Sequence, residues 1–340
     1  MGDTVFGHLD AEASVVLVRL RSLGDTVLAT PAFSLLRKAL PGSSVHVAMD
    51  ERFADILNGQ PDIDGVLRIG SRAGLRAKAG LLARLRRLRP SLCVDMHGGS
   101  TAAWLTALSG ARWRAGFAHF RHSWAYNVRI PRAQEVLCRA EDAVVHTAEH
   151  HAAAMIHLGA AAGEIPSTRL AAVPLSKGSP YAVIHAGAAY FTKAWPGDSF
   201  RSLALELRSS YGLEPVFSAG PGEGELVRRF SDFRVQRCLR IADLASLVRG
   251  AQLFVGNDSG PAHVAAAYGV PCVVIFGSSD SAAWRPWKTP HRVVETAWDC
   301  KPCPGDRCYA FDEPRCILSV EPASVSRAVA ELLGRSGSAT

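Results

Sequence analysis

Short β-branched runs alternate with helix-length stretches along nearly the whole chain, and this alternation leaves few folds open. Val15–Leu20, Val45–Met49, Val66–Ile69 and Leu92–Asp95 read as strands. Helices are expected from near Pro31 to Pro41-Gly42, over Phe53–Leu57 and over Leu75–Leu88. Apolar strands separated by helices imply a parallel sheet covered on both faces. A long helix is expected over Glu141–Leu158, and residues 159–180, rich in Ala, Gly, Pro and Ser, read as a hinge. The pattern then restarts with strands at Tyr181–His185, Pro215–Ser218, Leu253–Gly256 and Pro271–Phe276. Helices are expected at Phe200–Tyr211, Glu223–Phe230 and Leu244–Val248. The expected architecture is α/β: two Rossmann-like, doubly wound domains, residues 1–170 and 178–320, that bind ligands at the carboxyl ends of their strands and so face a central cleft. A length of 340 residues accommodates two domains. No short-period repeat occurs, and the small, polar tail from Gly334 to Thr340 is expected to be disordered.

The balance of charge narrows the partners. Lys and Arg outnumber Asp and Glu by 38 to 31, a net charge of +7, which suits a nucleotide, a phosphorylated acceptor or a lipid surface. From Gly65 to Val94 there is no acidic residue but eight basic ones: Arg68, Arg72, Arg76, Lys78, Arg84, Arg86, Arg87 and Arg89. Leu75, Leu82, Leu85 and Leu88 would give that helix its apolar face and leave the basic face in solvent. A charge run is commonly just a solvated face. Its single sign here favours an anionic surface, such as the inner leaflet of the cytoplasmic membrane, or a phosphorylated lipid-linked acceptor. Nucleic acid is the poorer partner, because no recognition motif accompanies the charge. No apolar run reaches the roughly 18 residues that span a bilayer. Met1–Glu12 lacks the basic start and apolar core of a secretory signal. Cys93, Cys138, Cys238 and Cys272 mostly lie in apolar strand-like contexts, as reduced buried thiols do, so a cytoplasmic address is expected.

The stretch Leu253-Phe254-Val255-Gly256-Asn257-Asp258-Ser259-Gly260-Pro261-Ala262-His263 reads as a buried strand, a polar turn and a helix start. Asp258 and Ser259 suit an N-cap, Pro261 suits the first turn, and Gly260 lets a ligand approach the backbone. Such a helix start attracts anions, though it also occurs with no ligand. His185-Ala186-Gly187-Ala188-Ala189, with Lys193-Ala194-Trp195-Pro196 behind it, is the second candidate. Small residues after a strand admit a phosphate, and a lysine six residues on from Gly187 supplies a point charge, or is simply solvated. Together the two turns have the groups to clamp one diphosphate. Gly24-Asp25-Thr26 follows the first strand directly, so Asp25 either accepts a proton from a hydroxyl or caps the next helix. Cys300, Cys303, Cys308 and Cys316 suit either a tetrahedral structural zinc or iron ion or a set of unligated thiols. His146-x-x-Glu149-His150 has the spacing of an inverted zinc-protease motif, but it sits on an Ala-rich helix in a chain otherwise unlike a protease.

Gly24-Asp25 with Pro31, Lys193-x-Trp195-Pro196, and Gly256-Asn257-Asp258-Ser259-Gly260-Pro261-x-His263 together resemble glycosyltransferase family 9, the bacterial ADP-heptose:lipopolysaccharide heptosyltransferases and their relatives. The resemblance runs from about Val15 to Val329. It implies a GT-B fold, with an N-terminal acceptor domain, a C-terminal sugar-nucleotide domain and a final helix, within residues 321–334, packing back on the first domain. It further implies an inverting transfer with Asp25 as general base and no metal or other cofactor required. The donor site would comprise Gly187, Ala188, Lys193, Glu223, Asp258, Ser259, Gly260 and His263. Two departures stand out. The family often holds the nucleotide ribose with an acidic residue after the strand ending at Ser218, a role that falls here to Glu223, one place later. Ser278-Ser279 replaces the usual Pro-Thr after Phe276-Gly277. A sugar-nucleotide epimerase would need further cleft carboxylates and histidines. A non-catalytic nucleotide-sugar-binding protein would differ at the role of Asp25. A nicotinamide dehydrogenase is disfavoured because no G-x-G-x-x-G follows the first strand.

Overall fold

A computed structural model describes residues 4–173 and 179–334. Two compact units divide between Ala171 and Ala172. The first carries six parallel strands: β1 (Ser14–Val18), β2 (Ser44–Asp50), β3 (Gly65–Ile69), β4 (Leu92–Asp95), β5 (Trp113–Phe117) and β6 (Val128–Ile130), in the order β3-β2-β1-β4-β5-β6. The second repeats the plan with β7 (Tyr181–His185), β8 (Glu214–Ala219), β9 (Arg234–Arg237), β10 (Leu253–Asn257), β11 (Cys272–Ile275) and β12 (His291–Val294), in the order β12-β11-β10-β7-β8-β9. Each sheet is doubly wound, reversing direction between its first and fourth strands, β1/β4 and β7/β10. Loops leave in opposite directions at such a switch point and open a crevice at the strand ends.

Burial explains why the central strands were legible. Every residue of β4, β7, β10 and β11 is buried, as expected of a parallel sheet sandwiched between helices. The edge strand β3 matches the expected Val66–Ile69, whereas the edge strands β6, β9 and β12 were not foreseen. β9 is Arg-Val-Gln-Arg with both ends exposed, and β6 has three residues, so neither carries an apolar signal. Val16, Val18, Leu81, Leu85 and Leu105 build one core layer of the first unit. Ile184, Phe200, Phe217, Val255 and Ile275 do so in the second.

Several boundaries differ from expectation for local reasons. The helix expected near Pro31 begins earlier, as Leu23–Leu28 followed by Thr30–Ala39, because Ser22 and Asp25 form a capping box. The helix expected over Glu141–Leu158 spans only Thr147–Leu158. His146 Nδ1 accepts from the Ala148 amide, and Glu149 accepts from the His146 amide, which fixes the start. Glu149 also binds Arg139, so the protease-like spacing is a cap with its ion pair. Part of the expected hinge is anchored: the Arg169 amide donates to Thr30, its guanidinium pairs with Asp62, and Gln60 donates to its carbonyl. The final helix, Pro322–Leu332, buries Val325, Ala328 and Val329 in the second unit's own core, against the sheet and the helix Gly197–Tyr211. That packing satisfies the helix's apolar face within its own unit. The tail expectation falls, apart from Gly334, outside the described residues. No helix among the described residues is long and apolar enough to cross a membrane.

Candidate active site

In the second unit, β7 and β10 are hydrogen-bonded neighbours with His185 opposite Gly256, so the loops leaving both strands open side by side. Asn257, fully buried at the end of β10, ties them together. Its Oδ1 accepts from the Trp195 amide at 3.0 Å, and its Nδ2 donates to the Ala186 carbonyl at 2.9 Å. Trp195 in turn donates from Nε1 to the Val320 carbonyl and packs edge-on against Phe200. Lys193 therefore leaves an anchored loop. Its Nζ lies 2.8 Å from Asp258 Oδ2, and Ser279 donates to that same oxygen at 2.6 Å. The pair is largely shielded, with side-chain exposures of 21% for Lys193 and 7% for Asp258, and a buried carboxylate that leaned on its lysine would be costly to strand. Asp258 thus holds the ammonium in place, and Ser279, half of the unusual Ser278-Ser279 pair, holds Asp258.

Ser259 is the cap residue of the helix Gly260–Ala267, with Pro261 in its first turn. Its Oγ is buried with no hydrogen-bond partner among the described residues, and no side-chain bond closes the helix start. A hydroxyl and helix N–H groups beside a held ammonium are the groups that receive a phosphate. His263 is buried one turn further along that helix. Gly187 has a steric reason within the protein itself. A Cβ there would strike the Glu223 carboxylate and lie 2.9 Å from His185 Nε2, so the glycine makes room for protein groups. Ala188 follows it, half-buried. Glu223 reaches back to the site despite its later position. Its Oε2 accepts from the Gly220 amide at 2.6 Å, and Oε1 lies 4.0 Å from His185 Nε2. Burial lowers the His185 pKa, Glu223 opposes that shift, and Nδ1 lies 3.0 Å from Ser218 Oγ.

The first unit repeats this logic at β1/β4. Val18 lies opposite Asp95, so the loops carrying Asp25 and His97 emerge together. Asp25 caps the helix in which it lies and also pairs with an arginine. Its Oδ2 accepts from Ser22 Oγ at 2.9 Å, and its Oδ1 forms an ion pair with Arg19. Arg19, buried, also donates to the Met96 carbonyl at 2.9 Å and lies 3.3 Å from His97 Nδ1. A guanidinium only donates, so that ring nitrogen accepts. Asp95 anchors the same loop, accepting from the amides of His97 and Gly98 and from Tyr126. Sequence reasoning overlooked Arg19. Its signal was present: an arginine breaking the apolar run Val15-Val16-Leu17-Val18, six residues before Asp25. A polar pocket of about 420 Å³ opens at these strand ends, lined by Arg21, Asp50, Arg72, Lys78, His97 and Ser100 among others.

Burial and the neighbouring Arg19 and Arg21 push His97 down to about 4. Burial likewise pushes His150 down to about 4, and His151 well below the usual histidine range. The unfolded chain therefore binds more protons than the folded one below about pH 6.5, and stability falls with acidification. Between pH 7.5 and 5.0, His150 and His151 are each expected to cost roughly 1–2 kcal/mol, read as a lower urea midpoint for the first unit at pH 5.0. An unchanged midpoint would mean that these rings titrate normally.

The cysteine cluster does not meet the requirements of a metal. Cys300, Cys303 and Cys308 are half-buried and Cys316 is buried, all as free thiols. No group of three or more His, Cys, Asp or Glu among the described residues is arranged to hold an ion. The tetrahedral zinc or iron that the spacing suited is therefore not supported. The loop has a packing role instead: the Cys303 amide donates to Ser278, Thr192 donates to the Gly305 carbonyl, and burial raises the Cys316 pKa.

Comparison with known proteins agrees with this layout. The family model for glycosyltransferase family 9 (heptosyltransferase) matches residues 80–310. Lipopolysaccharide heptosyltransferase 1 of Pseudomonas aeruginosa is 26% identical, with 94% of this chain and 98% of that protein covered. Among solved structures, E. coli ADP-heptose lps heptosyltransferase II superposes with a TM-score of 0.78 at 16% identity, covering 95% of this chain and 99% of that one. E. coli heptosyltransferase WaaC with ADP gives 0.72 at 21% identity, covering 94% and 99%. With more than half of its length matched by the family model and the doubly wound pair of sheets in common, this chain belongs to glycosyltransferase family 9 and is a glycosyltransferase with the GT-B fold.

Proposed function

We propose that this enzyme moves a heptose, or a related sugar, from a nucleoside-diphosphate donor, ADP-heptose in the first instance, to a hydroxyl of an anionic lipopolysaccharide-core or related acceptor. The observation that carries the reading is the Lys193–Asp258 pair set beside the uncapped start of the helix Gly260–Ala267. In this reading the second unit is the donor domain. Lys193, Ser259 and the backbone N–H groups at Gly260 meet the diphosphate, with Gly187, Ala188 and His263 in the surrounding shell and Glu223 on the ribose. The first unit is the acceptor domain, and Asp25 is its base. The carboxylate takes the proton of the acceptor hydroxyl, and the oxygen attacks the anomeric carbon opposite the diphosphate. The new C–O bond forms as the bond to the diphosphate breaks, so the configuration inverts. Preorganised positive charge stabilises the departing diphosphate, with no divalent metal taking part.

The bound ADP of the E. coli relative and the lipopolysaccharide named for the P. aeruginosa relative support the donor and acceptor classes. The pocket lined by Arg21, Arg72 and Lys78 supports an anionic acceptor. The basic helix supports peripheral electrostatic contact with the inner face of the cytoplasmic membrane. Thermal unfolding with ADP, UDP and GDP, followed by mixing enzyme, ADP-heptose and core oligosaccharide, tests the reading. ADP at a hundred times its Kd should raise the melting temperature by about 5 °C. No shift would sink the donor assignment, and a shift without any transferred sugar would point to a non-catalytic binding protein.

A further inference from the structure

The basic helix Leu75–Arg87 buries Leu81 and Leu85 and packs Leu82 and Leu88 against the same core, but Leu75, expected on that face, is 85% exposed. Beside it runs the helix Ser100–Ala107, whose Trp104 is 55% exposed and is followed by half-exposed Leu108. Between them lies an apolar groove of about 430 Å³, lined mainly by Leu75, Ala79, Leu82, Trp104, Leu105 and Leu108. The Trp104 ring meets that of Trp124 edge-on at 4.9 Å, and Trp124 is itself exposed. Four large apolar side chains presented together mark an interaction surface.

Charge decides what covers it. The exposed residues Arg72, Arg76, Arg86, Arg87 and Arg89 lie on or beside the first helix, and no acidic residue falls between Gly65 and Val94. A second copy docked face to face would set those arginines against their own kind, which costs affinity. An anionic bilayer satisfies both halves: arginine at the phosphates, and leucine and tryptophan at the headgroup–acyl boundary. The groove also shares Lys78, Ser100 and Thr101 with the polar pocket. A membrane at the groove would therefore bring a lipid-linked saccharide to the pocket's edge.

We infer that Leu75, Trp104 and the groove between their helices insert into the headgroup region of an anionic bilayer, adding an apolar anchor to the electrostatic contact. The inference rests on the reading that the acceptor is lipid-linked. Flotation of the full chain with phosphatidylcholine vesicles containing 30% phosphatidylglycerol, in 0.1 M and 0.5 M NaCl, tests it. Leu75→Ser/Trp104→Ser should weaken partitioning about tenfold at both salt concentrations, because apolar insertion is not screened. Arg76→Ser/Arg86→Ser/Arg87→Ser should weaken it about a hundredfold at 0.1 M and converge on the unmodified protein at 0.5 M. Partitioning of the apolar variant equal to that of the unmodified protein would overturn the inference. So would a concentration-dependent dimer that this variant abolishes. The ADP-induced thermal shift shows that each variant is folded. It also separates failure of the donor assignment, which removes the shift, from failure of the anchor, which does not.

Discussion

Asp25→Asn should lower kcat about 1000-fold while leaving ADP affinity within about twofold. The amide fills the same volume and still accepts from Ser22, so the helix start survives, but it takes no proton from the acceptor. The substitution also removes the ion-pair partner of Arg19, which remains buried and hydrogen-bonded to Met96 and His97. Asp25 is about one-fifth exposed, so the stability cost is put at about 1–3 kcal/mol, below that of a fully buried pair. Arg19→Met separates the two effects, because it breaks the same ion pair and keeps the carboxylate. Base chemistry requires Arg19→Met to retain far more activity than Asp25→Asn. Equal losses in the two variants, or ADP affinity falling in step with kcat, would reduce Asp25 to a structural counterion.

Lys193→Ala should lower kcat/KM for the nucleotide sugar about 100-fold, because a positive group aimed at a developing leaving-group charge is removed from a preorganised site. ADP should bind about tenfold more weakly, since the same ammonium meets the diphosphate in the ground state. Asp258 would then sit buried with Ser279 as its remaining partner, and its negative charge would face the diphosphate unneutralised. Lys193→Ala/Asp258→Asn should therefore recover part of the lost ADP affinity. No recovery, together with unchanged ADP binding in the single variant, would show that Lys193 acts only within the ion pair.

The residues that close these sites differ in how visible they were. Gly24-Asp25 and the run from Gly256 to His263 stood out because a strand, a turn and a helix start are local, and their preferences lie in consecutive residues. Asn257 stood in the same run, yet its role as a clamp between Ala186 and Trp195 needs partners more than sixty residues away. Arg19 looked like an interruption in a strand until Asp25 and Met96 supplied its partners. Gly187 also makes room for Glu223, a partner that its neighbouring residues do not reveal. Cysteine spacing suggested a metal, but spacing along a Pro-rich loop does not dictate that the sulfurs converge. Leu75 followed the helical period and was still left outside the core, because that helix spends Leu81 and Leu85 on the sheet.

By itself the sequence determined the α/β class, the two tandem units and the central strands, because apolar periodicity and turn chemistry act over a few neighbouring residues. Only the tertiary structure decided the edge strands β6, β9 and β12, the packing of the final helix in its own unit's core, the Lys193–Asp258–Ser279 and Ser22–Asp25–Arg19 chains, and the exposed groove. Each of those depends on a buried polar group or an apolar face meeting a partner far away in sequence, and no local preference encodes that meeting.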